Sequence, residues 1–248
     1  MVKINNLIEN EVNFFLNEGY LVLPGLLSES DAAKLQDEVM GIMNVIGLEN
    51  SKLRQTTQYL KGGTLDTLVN NDVLKKLASQ LLGGDSSVYM PFTAVKSANG
   101  GGRFHFHQDN QYTQFDKPGL NFWFALTDMS PENGCLQVIP KSHKNGTLEA
   151  DLSGDGDNHK KIKWEPENFL PIRMRKGDCV VFTRLTVHGS GPNLSGLPRV
   201  AYAIQFHRDD VRARWEGNDW VLLKEKPRWN VNPVEKIVPP ENVSLDGH

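Results

Sequence analysis

Residues 104–110 read Phe104-His105-Phe106-His107-Gln108-Asp109-Asn110, just after three consecutive glycines, Gly100, Gly101 and Gly102. Alternation of aromatic and polar side chains over this stretch predicts an extended strand, in which successive residues face opposite ways. On that reading His105, His107 and Asp109 share one face. An imidazole and a carboxylate two residues apart on one face can grip a single metal ion.

The same period of two runs through the rest of the middle of the chain. From Ser87 onward, candidate strands occupy 88–97, 103–109, 120–128, 135–140, 169–175, 178–183 and 199–207, all rich in Val, Ile, Phe, Tyr and Trp. Pro131-Glu132-Asn133-Gly134 supplies an Asn-Gly turn between two of them, and Lys176-Gly177-Asp178 is a second turn. Strands with turns between them and no intervening helices predict an antiparallel sandwich or barrel rather than βαβ units. Before Ser87 the period is helical. Val12, Phe15 and Leu16 mark a helix closed by Gly19, and the short strand Tyr20–Leu23 follows. Ser28 and Asp31 open a long helix with Leu35, Val39, Ile42, Met43 and Ile46 on its apolar stripe; Asn71-Asp72 opens another carrying Leu74, Leu77, Leu81 and Leu82. The expectation is one domain over 1–248, with a helical packing layer at about 1–86, a barrel core at about 87–208 and a C-terminal extension at 209–248. Residues 144–166 are polar and read as a structureless loop or lid. Within them Asp151-x-Ser153-x-Asp155-Gly156 imitates a calcium loop, but its twelfth position is Ile162 and no helices flank it.

Composition narrows the function. A net charge of −3 and a pI of about 6.2 argue against nucleic-acid or anionic-membrane partners. No apolar run reaches the length of a membrane span, and neither end carries a secretory, peroxisomal or retention signal. The two cysteines, Cys135 and Cys179, fall in predicted strands and read as buried thiols. A reducing, cytoplasmic setting fits.

Val187-His188-Gly189-Ser190 ends the apolar run that begins at Gly177 and offers a third ligand. Two His and one carboxylate form the facial triad of non-haem Fe(II) oxygenases, with three coordination positions left open. Alone, His107-Gln108-Asp109 is weak, because a surface or core histidine explains many such triplets. Arg199, at the start of the strand Val200–Ile204, adds to it. An inward-facing guanidinium needs a buried anionic partner, and the far carboxylate of a dicarboxylate co-substrate would supply one through a bidentate contact. The alternative is an outward arginine paired with Asp209 or Glu216.

Taken in order, several segments resemble the phytanoyl-CoA dioxygenase family, a branch of the Fe(II)/2-oxoglutarate oxygenases. They are Asn17 to Gly25; His107-Gln108-Asp109; Glu132-Asn133-Gly134-Cys135-Leu136; Ile139-Pro140-x-Ser142-His143; His188-x-Ser190; and Arg199. The resemblance spans about residues 8–208 and implies a double-stranded β-helix, a jelly-roll, cupin-like barrel. It further implies His107, Asp109 and His188 as iron ligands, with Arg199 and Ser190 on the distal carboxylate of 2-oxoglutarate. Gln108 and Trp123 match positions near that co-substrate, and His143 a structural position after the hairpin. The implied cofactors are Fe(II), 2-oxoglutarate and O2, with ascorbate as reductant in vitro, and the implied partner is a small-molecule substrate. Because Asp109 is present, hydroxylation is expected over halogenation, which needs a ligand position left open for halide.

Two further readings stay open: a cupin-type metalloenzyme without 2-oxoglutarate, and a barrel that binds without catalysis. His105 either touches the substrate or lines the barrel. Lys96 either neutralises a carboxylate or, as is usual for lysine, snorkels to the surface, which is the expectation. Trp215, Trp220 and Trp229 either cap the barrel or the substrate mouth or, by default, pack against the N-terminal helices.

Overall fold

The structure, a computed structural model, describes residues 1–48, 53–154, 159–215, 217–228 and 231–239. Trp229, Glu216 and residues 155–158 of the candidate loop lie outside the described residues. In chain order the elements are α1 (Glu9–Glu18), β1 (Tyr20–Leu23), α2 (Glu29–Ile46), β2 (Leu53–Arg54), α3 (Thr64–Val69), α4 (Asp72–Leu82) and β3 (Ser86–Lys96). There follow β4 (Phe104–His107), β5 (Gln114–Phe115), β6 (Gly119–Ala125), β7 (Leu136–Val138), β8 (Ala150–Leu152), β9 (Lys160–Ile162) and β10 (Leu170–Pro171). The last strands are β11 (Cys179–Thr183), β12 (His188–Ser190), β13 (Arg199–Arg208), β14 (Arg212–Arg214) and β15 (Val221–Leu222).

Two antiparallel sheets form the jelly roll, one ordered β1-β11-β6-β13-β3-β2 and the other β10-β7-β12-β4. Strand alternation sorts the large sheet's side chains into two cores. Val200, Tyr202, Ile204 and Phe206 of β13 face out with Phe122 and Phe124 of β6, against Leu35, Val39 and Ile42 of α2 and Leu74, Leu77 and Leu81 of α4. Ala201 and Ala203 face in with Trp123, Phe92 and Phe182, against Leu136 and Val138 of the small sheet. A cavity lies between the two sheets, lined from both of them.

The helices end where their caps dictate. Ser28 Oγ accepts from Asp31 N at 3.0 Å and Asn71 Oδ1 from Leu74 N at 3.1 Å, satisfying N–H groups that the helix leaves unpaired. Gly19 closes α1 at φ 83°. A Cβ there would meet His143 Nδ1 at 2.3 Å, so both backbone conformation and space require glycine. Of the expected α1 stripe, Phe15 is buried but Leu16 is exposed.

Four expectations change. The strand at 103–109 stops at His107, and Asp109 opens a short 3-10 turn, Asp109–Gln111. The run from Gly177 to His188 is two strands: β11 ends at Thr183 in the large sheet, and the chain crosses over to begin β12 in the small one. Residues 144–166 contain the β8–β9 hairpin, held because Ile162 is buried against Phe106 and Val187. Trp215 and Trp220 are half-buried on the β5-β14-β15 side, facing Arg228 and Arg214 rather than the N-terminal helices.

Candidate active site

β4 and β12 are neighbours in the small sheet, and their register sets His107 opposite His188, with ring centroids 4.2 Å apart. The turn after β4 swings Asp109 toward both rings. Its Oδ1 lies 3.7 Å from His107 Nε2 and 3.6 Å from His188 Nε2. The three residues are buried, and one ligand atom from each falls within 4.8 Å of the others. His107 Nδ1 bonds the carbonyl of His105 at 2.8 Å, and His188 Nδ1 that of Thr186 at 2.9 Å. A carbonyl only accepts, so the hydrogen sits on Nδ1 and each Nε2 lone pair is presented to the shared space.

Electrostatics keep the set in its ligand form. Burial alone would raise the Asp109 carboxyl, but the attraction of a proton taken up on His188 or His107, together with the Arg184 guanidinium, outweighs it and holds the group well below the usual carboxylate range. Burial, with His107 beside it, pushes His188 down to about 4. At neutral pH the site is therefore one carboxylate and a neutral imidazole at His188, a donor set suited to a divalent transition metal.

The Pro-x-Ser-His segment supports this geometry from behind. Ser142 Oγ accepts from Val187 N at 2.8 Å, one residue before His188, and donates to Ile139 O at 2.7 Å. His143 Nε2 donates to Leu16 O at 3.1 Å, fastening the same segment to α1.

A cavity of about 470 Å³, counting the space open to solvent, is lined by the triad with Phe92, Phe104, Asn121, Trp123, Leu136, Ser190 and Gln205. Leu53 and Gln55 stand at its edge on the β2 side. Arg199 is not among the lining residues. Its guanidinium sits behind Trp123, 5.5 Å from the ring centroid, fully buried. Only Nη2 has a partner, Ala94 O at 3.4 Å, while Nε and Nη1 have none. Burial lowers its pKa to about 10, so it stays charged.

Lys96, expected at the surface, is instead fully buried opposite Arg199. Its ammonium bonds the carbonyls of Ser190, at 3.4 Å, and Gly191. Burial, then the Arg199 charge, holds its pKa well below the ordinary lysine value. Gln108 does not reach the cavity. Its amide is spent on Gly146 O at 2.9 Å, Leu185 O at 2.6 Å and Leu148 N at 2.7 Å. His105 is half-buried and contributes its carbonyl to His107.

Gln205 and Asn121 escaped the sequence reading, although a signal was present. Each is a polar residue in an otherwise apolar strand, in phase with a noted inward residue: Gln205 with Arg199, Asn121 with Trp123. Arg184, buried behind Asp109, has no such signal.

A two-sheet jelly roll that brings two His and one Asp together beside a buried arginine defines the class, a metal-dependent oxygenase of the double-stranded β-helix type. The phytanoyl-CoA dioxygenase profile matches residues 15–201, and the chain belongs to that family of Fe(II)/2-oxoglutarate-dependent dioxygenases. It is 33% identical over 133 residues to phytanoyl-CoA dioxygenase 1 of Oryza sativa subsp. japonica, a match covering 52% of this chain and 47% of the rice protein. It is 27% identical over 208 residues to the methylphosphonate hydroxylase of Gimesia maris, covering 78% of each. The crystal structure of EvdO2 from Micromonospora carbonacea var. aurantiaca complexed with 2-oxoglutarate aligns with a TM-score of 0.72 at 20% identity. That alignment covers 88% of this chain and 96% of EvdO2, and at that identity it shows the fold. Among the described residues no helix is long and apolar enough to cross a membrane.

Proposed function

We propose that this protein hydroxylates a small molecule, with Fe(II) held by His107, Asp109 and His188 and 2-oxoglutarate anchored at Arg199. The observation that carries the reading is the Arg199 guanidinium, fully buried with two nitrogens unpartnered, behind Trp123, which lines the cavity that holds the triad. An unpaired buried charge is costly, and a dicarboxylate laid from the metal toward Arg199 would satisfy it. Ser190 and the unpartnered Trp123 Nε1 add polar groups to the lining. Trp123 has to give way for the carboxylate to reach the guanidinium.

When bound, Fe(II) and 2-oxoglutarate supply the oxidising chemistry, using O2 and releasing succinate and CO2. The chain's own residues do the rest. Asp109 and the two histidines hold one face, Arg199 sets the direction of the co-substrate, and Phe92, Phe104 and Leu136 keep the cavity dry. The presence of Asp109 favours hydroxylation over halogenation. Gln108 takes a supporting role, tying the loop at 146–148 to the turn that carries Asp109. One domain is the reading for the whole chain. The free, buried Cys135 and Cys179 fit a reducing, cytoplasmic setting. The test is succinate release from 2-oxoglutarate under Fe(II), ascorbate and air, with a metabolite screen for stimulation. Release that depends on iron and is stimulated by a small molecule is expected; none in any condition would overturn the reading.

A further inference from the structure

We propose that Arg184 and Gln205 form a positioning relay that holds the Asp109 carboxylate with one oxygen turned to the metal. The inference rests on reading His107, Asp109 and His188 as the metal ligands. Neither Arg184 nor Gln205 belongs to that set, yet both are buried directly behind it.

Arg184 is the first residue after β11, at the point where the chain leaves the large sheet. Its guanidinium lies 4.4 Å from the Phe115 ring centroid and 5.0 Å from that of Tyr89, an aromatic slot that limits its movement. Nη2 donates to Asp109 O at 2.9 Å and Thr113 O at 3.3 Å, and Nη1 donates to Gln205 Oε1 at 2.6 Å. The backbone joins in, with Asn110 N donating to Arg184 O at 3.0 Å. One side chain thus grips the turn bearing Asp109 by its main chain and, through Gln205, by its carboxylate.

Arginine only donates, so its bond takes the amide oxygen of Gln205 and fixes which way that amide points. The amide N–H must face away, and it donates to Asp109 Oδ2 at 3.1 Å. Oδ2 is occupied and Oδ1 is left facing the two imidazoles. The carboxylate is therefore set for one-oxygen ligation before any metal arrives. Partners that orient a ligand in this manner typically contribute about 10- to 100-fold in metal affinity.

The test is an anaerobic Co(II) titration without 2-oxoglutarate, read by visible ligand-field absorption, on wild type, Gln205→Leu, Gln205→Met and His188→Ala. The two Gln205 variants keep the stem and remove the N–H, and thermal unfolding of each metal-free protein checks the fold. A dissociation constant raised about 10- to 100-fold, with an altered absorption envelope and little change in metal-free Tm, is expected of at least one folded Gln205 variant. Wild-type affinity and an unchanged spectrum in every folded Gln205 variant overturn the relay, as does failure of both to fold, which would make Gln205 structural. The ligand reading fails separately: it falls if His188→Ala takes up Co(II) as wild type does.

Discussion

Lys96 and Arg199 stand directly opposite each other on antiparallel β3 and β13, both fully buried. Among the described residues neither has a carboxylate partner. A charge on Lys96 works against that of Arg199, and a dianion reaching them past Trp123 would relieve both. Replacing Arg199 by Lys keeps the charge and loses the planar fork. The Michaelis constant for 2-oxoglutarate should then rise about ten-fold or more, judged by the strength of charge-assisted bidentate bonds. An unchanged constant would remove Arg199 from the site.

The loop after β7 is predicted to be fastened at its stem. Gln108 accepts from Leu148 N and donates to Gly146 O, while Asn110 Nδ2 donates to Thr147 Oγ1 at 2.8 Å. Gln108→Ala should therefore expose the β8–β9 hairpin, and trypsin should cut after Lys160, Lys161 or Lys163 faster than in wild type. Equal cleavage would mean that other contacts, among them buried Ile162 and the bond from Lys160 N to Tyr112 Oη, hold the hairpin without Gln108.

Acid should destabilise the metal-free protein through His188. Its native pKa of about 4 lies below the unfolded value near 6.5, so above that pH both states are neutral and nothing changes. As pH falls from 6.5 to 4 the unfolded chain takes up a proton that the native state refuses. The loss reaches on the order of 3 kcal/mol at the foot of that window. Urea unfolding of wild type and His188→Asn across pH 7 to 4.5 checks this contribution. The variant's stability should fall less steeply; parallel curves would contradict the assignment.

Much of this was legible in the sequence because period-two patterning and cap residues act locally. The large sheet follows the alternation seen from Ser87, and Ser28 and Asn71 cap the helices they precede. His107, Asp109 and His188 were legible as types at a spacing. What brings them together was not: His107 and His188 lie in register on adjacent strands only because the chain leaves the large sheet at Thr183. Asp109 reaches the same space through a turn rather than by strand alternation. Burial of Lys96 was hidden because composition places lysines outside, and only the cross-strand register reveals two cations facing each other. The Asn133-Gly134 turn was read correctly as a turn, but it crosses between sheets instead of closing a hairpin.

On the proposed function, His107, Asp109 and His188 hold Fe(II) with 2-oxoglutarate beside it. Anaerobic addition of 2-oxoglutarate to the Fe(II) protein should produce a weak visible metal-to-ligand charge-transfer band, which His107→Ala and His188→Ala should each abolish. A band that persists in both variants would contradict the account.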